Sequence, residues 1–152
     1  MTDTQAYFGA DLRLIRDLLQ LQSDRSGGSD LLTATRKETS KVDLQTLTDL
    51  DNLKQALLLR FLTRMGDLAQ LGHPAYGSRL YTLIGQLNTA TNRNLAKLYV
   101  LEALAPEPRV ERVISVDVSG ARDTLDIRVS LTAIGSNTPL NMVFGFNIGG
   151  PQ

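Results

Sequence analysis

The residues of this chain best placed to do chemistry are Glu107, Pro108 and Arg109. An acid and a base stand on either side of a proline, just after a helical pattern breaks at Pro106. Proline fixes φ and removes backbone freedom, so both charges point in set directions. That arrangement suits docking better than turnover, and Arg109 offers a planar fork to a carboxylate. The bland alternative is an exposed ion pair worth under ~1 kcal/mol. Glu102 and Glu107 invite a second reading, as a glycosidase pair. That chemistry needs two carboxylates ~5–9 Å apart. Sixteen acids make such a spacing by chance, and four Tyr, four Phe and no Trp do not build an aromatic sugar cleft. His73 is the single histidine and cysteine is absent, so His-pair and Cys metal sites and a Cys nucleophile are excluded. The expectation is no catalytic, cofactor or metal site, and no enzyme.

Three zones position these residues. Residues 1–47 read as a loose hairpin-like arm. Leu12, Ile15, Leu18 and Leu19 make a helical face, while Leu12 and Leu14 alternating with Asp11 and Arg13 read equally as a strand. Arg25 to Asp30 reads as a turn, and Thr33 to Lys41 as solvated. Residues 48–152 form the domain proper. A helix capped by Asp49 or Asp51 starts near Asn52 and is stopped by Gly66. Its stripe includes Leu53, Leu57 and Phe61. Lys54, Arg60 and Arg64 read as solvated charges on it, with Arg93 and Lys97 further on. The connector from Leu71 to Ser78 is turn-rich, with the Tyr76 ring packed on the core. A short helix over 79–84 follows. Asn88 or Thr89 caps a long helix over 90–104, with Leu95, Leu98, Tyr99, Leu101 or Glu102, and Ala105 on its face.

The last zone is β. Val110 to Val118 places Ile114, Val116 and Val118 on one face, with a loop at Ser119–Asp123. Thr124 to Leu131 alternates, with Leu125, Ile127, Val129 and Leu131 inward. The pattern predicts an α+β fold: one domain, with helices packed on a small antiparallel sheet of about three strands.

The final strand covers Leu140, Asn141, Met142, Val143, Phe144, Gly145, Phe146, Asn147 and Ile148. No charged residue occurs from Val129 to the end of the chain. Edge strands are usually blunted by charge, proline or a bulge. Here only Pro139 precedes the strand and Gly145 interrupts it. Two readings stay open: the strand lies in the centre of the sheet, or its edge is reserved for another chain. An open edge of this kind on a lone protein invites aggregation, so the second reading implies an assembly component.

Basic and acidic residues cancel at sixteen each. No excess points to nucleic acid. The N-terminus lacks the basic start and apolar run of a signal peptide, and no apolar run approaches the ~18 residues of a membrane span. A cytoplasmic, soluble protein without membrane insertion is expected.

Several short motifs in order resemble the baseplate wedge family of contractile phage tails, the GPW or gene-product-twenty-five-like proteins, and their relatives in injection systems. They are Thr63-Arg64-Met65-Gly66-Asp67 closing a leucine-rich helix, His73-Pro74-Ala75-Tyr76-Gly77-Ser78, and the long helix feeding Glu107-Pro108-Arg109 and antiparallel strands. The resemblance covers about Asn52 to Ile148. It implies a structural wedge subunit that templates the first sheath ring by strand addition. It implies partners among other baseplate proteins and the sheath protein, and about six copies per particle, following the rotational symmetry of such baseplates. The Glu-Pro-Arg turn would dock toward the wedge core. Before assembly the subunit would be cytoplasmic, then part of a tail or injection particle. The alternative is a tail-associated glycoside hydrolase, lysozyme-like, or a sugar-binding domain.

Overall fold

The computed structural model of the chain describes residues 7–15 and 31–150. Its elements run β1 (Ala10–Leu12), β2 (Thr33–Thr35), β3 (Val42–Leu44), β4 (Thr46–Thr48), α1 (Asp49–Leu62), 3₁₀ turns at Ala69–Leu71 and Leu80–Leu83, α2 (Ala90–Leu104), β5 (Val110–Ala121), β6 (Thr124–Ala133) and β7 (Leu140–Asn147). The fold is α+β, two helices against a three-stranded antiparallel sheet of order β5-β6-β7.

Helix α1 forms because Leu53, Leu57, Leu58 and Phe61 recur on one stripe, all fully buried. Asp49 and Asp51 sit in its first turn, where the helix dipole favours negative charge. It begins at Asp49, a little earlier than expected, and ends at Leu62. The chain turns extended at Thr63, three residues before Gly66 would have stopped it. Helix α2 takes the expected bounds. The Thr89 hydroxyl accepts from the Asn92 amide at 3.2 Å, which selects Thr89 over Asn88 as the cap. Its buried face matches the expected one only at Leu95 and Tyr99. Ala96, Tyr99, Val100, Ala103 and Leu104 point inward, while Leu98 and Leu101 are exposed. Two alanines on that face pack the helix against β5, and Leu98 and Leu101 fall on the outer side.

In the sheet, β6 alternates as expected, with Leu125, Ile127, Val129 and Leu131 buried. Strand β5 departs from expectation. Register shifts between Val110 and Arg112 and between Val113 and Ser115 mark two bulges. The second inserts Ile114 as an extra residue and reverses the alternation there. Ile114 is therefore 48% exposed and Val113 packs on the core in its place. The strand also runs through Ser119 to Ala121, which leaves only Arg122 and Asp123 as the hairpin loop.

The start of the chain is tied to α1. Strand β1 pairs antiparallel with β4, and Phe8 and Leu47 are buried in the common core. The Asn52 side chain donates to the Phe8 carbonyl at 2.7 Å. Gln55, 1% exposed, accepts from the Leu14 and Ile15 amides and donates to the Leu12 carbonyl. An amide side chain thus supplies the partners a neighbouring strand would. Among the described residues strands β2 and β3 pair only with each other, and both are exposed along their length. Leu18 and Leu19, and the turn at Arg25–Asp30, lie outside the described residues.

Candidate functional site

The Glu107-Pro108-Arg109 corner is built by the end of α2. The Glu107 amide donates to the Leu104 carbonyl at 3.1 Å, and the Val110 amide donates to the Glu107 carbonyl at 3.2 Å. These two bonds carry the chain from helix into β5 in one tight turn. They swing the Glu107 side chain inward, where it is 5% exposed. Pro108 stays exposed at the tip.

Glu107 closes on this chain's own arginines. Arg109 Nε donates to Oε1 at 2.6 Å, Arg109 Nη2 to Oε2 at 3.2 Å, and Arg60 Nη2 to Oε2 at 3.2 Å. Burial pushes the carboxyl pKa up. The hydrogen bonds from Arg109 and the charges of Arg109 and Arg60 outweigh it and hold the group below its ordinary range. Arg60 corrects one expectation, because it is not a solvated helix charge. Its side chain is 13% exposed and lies across 47 residues of sequence from its partner. No local pattern signals that pairing. The only hint was an arginine beside the apolar stripe of α1.

Around this corner lies a face of stacked side chains that the motifs did not mark. The Arg60 guanidinium sits 4.7 Å over the Tyr76 ring, Arg64 4.8 Å over Tyr81, and Arg79 4.7 Å over Tyr99. The connector after α1 makes the arrangement possible by folding back on the helix end. The Ser78 amide donates to the Thr63 carbonyl at 2.9 Å, and the Ser78 hydroxyl to the Phe61 carbonyl at 2.6 Å. These bonds satisfy carbonyls that the end of a helix leaves open. Gly77 permits the approach. At φ +109° it is in the left-handed region, and a Cβ there would lie 2.7 Å from the Thr63 oxygen.

Glu102, the other half of the imagined glycosidase pair, is exposed and lies 3.7 Å from Arg79. Both carboxylates therefore face arginines. A general acid needs a raised pKa, and Glu107 has the opposite shift. His73 is exposed in its turn.

The second candidate surface is β7, which among the described residues pairs with β6 alone and forms an edge of the sheet. Leu140, Met142, Phe144 and Ile148 are buried on the helix side and Phe146 is half-buried. Phe144 stacks on Phe61 of α1, centroids 5.2 Å apart. Asn141 and Val143 are exposed on the other side, with Gly145 and Asn147 half-buried. The Ile148 amide donates back to the Asp123 carbonyl at the start of β6. By alternation, the backbone groups of Leu140, Met142, Phe144 and Phe146 face β6. Those of Asn141, Val143, Gly145 and Asn147 face the open side. The opposite edge of the sheet is treated differently. Strand β5 carries Glu111, Arg112 and Asp117, two bulges and a packed helix, devices that block strand addition. Strand β7 has neither charge nor bulge.

Among the described residues no helix is long and apolar enough to cross a membrane. No family model matches the chain, and no curated protein does. A solved structure from Geobacter sulfurreducens, provisionally named a tail lysozyme, resembles it with a TM-score of 0.54. The alignment is 24% identical and covers 62% of this chain and 86% of that one. The likeness establishes a shared fold.

Proposed function

We propose that this chain is a non-enzymatic structural subunit of a contractile tail or injection particle, a baseplate wedge protein that accepts a strand of the sheath protein on β7. The observation that carries the reading is the contrast between the two sheet edges. One is protected by charges, bulges and a helix. The other is an uncharged strand with an unpaired row of backbone groups. Such an edge supplies generic main-chain affinity, and its side chains set the register of an incoming strand. Phe144, stacked on Phe61, holds the edge to the helical layer, so the acceptor is rigid before it is used. The ordered motifs around the Glu-Pro-Arg turn support the wedge assignment. The shared fold with a protein named after a tail supports the tail setting.

That neighbour's name also favours the second reading, a lysozyme-like hydrolase. The Glu107 carboxylate, ionised between two arginines, argues against it.

Val143→Pro tests the proposal. It removes a donor facing the open side and leaves the ladder to β6 intact. Baseplates carrying the variant are expected to assemble without sheath by cryo-electron microscopy. Full-length sheath on such particles overturns the strand-acceptor reading. Cell-wall cleavage by the purified protein, abolished by Glu102→Ala or Glu107→Ala, overturns the non-enzymatic one.

A further inference from the structure

The helical layer carries a charge excess that the neutral total hides. From Asp49, the start of α1, to Arg109 seven basic side chains stand against five acids. Four of the arginines, Arg60, Arg64, Arg79 and Arg109, belong to one continuous face. Arg60 lies in the last turn of α1, and Arg64 follows just past its end. Arg64 is bridged through its backbone to Ser78, beside Arg79. Arg109 meets Arg60 on the shared Glu107. Among the described residues two carboxylates answer these four charges. Glu107 is shared by two of them, and Glu102 reaches Arg79 only at 3.7 Å. Arg64 meets no carboxylate among the described residues, and Asp67, three positions on, makes no ion pair with it.

Three of the four guanidiniums sit over tyrosine rings. Stacking fixes the plane of the group and leaves its N–H edge for an incoming acceptor. An arginine held this way loses less freedom on binding than a mobile lysine. Arg64 and Arg79 are exposed, so their edges are accessible. We infer that this arginine–tyrosine face, centred on Arg64 and Arg79, docks an acidic segment of a neighbouring protein through paired guanidinium–carboxylate bonds. Nucleic acid is the poorer fit. The three rings are covered by guanidiniums and cannot serve as platforms for bases. The inference rests on the helical layer alone and stands whether or not β7 accepts a strand.

The test is fluorescence anisotropy of the full chain with a labelled poly-glutamate peptide at low salt, beside a poly-glutamine peptide and single-stranded DNA. Salt-sensitive binding of poly-glutamate alone is expected. Arg64→Ala and Arg79→Ala should each weaken it by about tenfold. Arg112→Ala, at an exposed arginine of β5, should leave it unchanged. Arg64→Lys is the sharper variant, because it keeps the charge and loses the stacked plane. A loss close to that of Arg64→Ala supports the inference. Unchanged melting temperatures show that the variants remain folded. Absence of poly-glutamate binding, equal binding of poly-glutamine, tighter binding of DNA, an equal loss in Arg112→Ala, or full affinity in Arg64→Lys would each overturn it.

Discussion

The Phe61 and Phe144 rings stack with centroids 5.2 Å apart and planes 11° from parallel, so α1 and the edge strand β7 are fastened ring to ring. The neighbouring side chain on α1, Arg60, reaches the buried Glu107. Two consecutive residues of one helix thus hold both candidate surfaces. Disturbance at one is expected to reach the other through a rigid element.

Phe144→Ala should be among the most damaging single changes. It removes a fully buried ring and its stacking partner's contact, at a cost of about 3–5 kcal/mol. Chemical denaturation measures this directly. A loss below about 1 kcal/mol would mean that β7 is not fastened to α1 in solution.

Proline substitutions along β7 should separate by parity. Val143→Pro faces the open side and should cost about 1 kcal/mol or less. Met142→Pro breaks a bond to β6 and should cost about 3 kcal/mol. Equal losses at the two positions would show that the outward row of backbone groups has been assigned to the wrong residues.

Glu107 should govern part of the acid limb of stability. Its folded-state pKa is depressed below the ordinary value of 4.5. The unfolded state therefore binds its proton at higher pH than the folded state does. The carboxylate contributes its full stability above 4.5, and the contribution fades as pH falls through the lower folded value. Glu107→Gln should flatten the stability profile in that acid window. An unchanged profile would show that the two arginines do not hold the charged form.

Arg109→Glu should affect folding as well as assembly. It sets a second carboxylate against a buried one and leaves Arg60 to answer both. Arg109 keeps 26% of its side chain in water, so the cost is placed at the low end for a broken buried pair, about 3 kcal/mol. Arg109→Gln should be milder. Thermal unfolding of the two variants decides the order.

Gly77→Ala should lose about 1–3 kcal/mol from strained backbone. The added Cβ also meets the Thr63 carbonyl at 2.7 Å, where the connector docks on α1. Hydrogen exchange at the Ser78 amide should rise with it. Full protection in a stable variant would show that the close approach is not needed.

What the sequence determined by itself is local. Thr89 and the period that follows set the bounds of α2. The strict alternation of β6 set its buried face, and the charge-free run after Arg128 marked β7 as unusual. These signals depend on residues a few positions apart, where capping, period and composition act directly. Tertiary structure decided the rest. Whether β7 lay in the centre or at an edge depended on which strand paired with which, and a single strand's residues are compatible with both. Ile114 turned outward because β5 bulges against β6, an event fixed by pairing and not by the β5 pattern. Leu98 and Leu101 of α2 stayed outside the core while Ala96 and Ala103 entered it, because the helix packs on β5 through that face. Arg60 left the solvent because Glu107, 47 residues away, was buried beside it. A charge's partner is chosen by the fold, so the arginine–tyrosine face existed only once α1, the connector and α2 had come together.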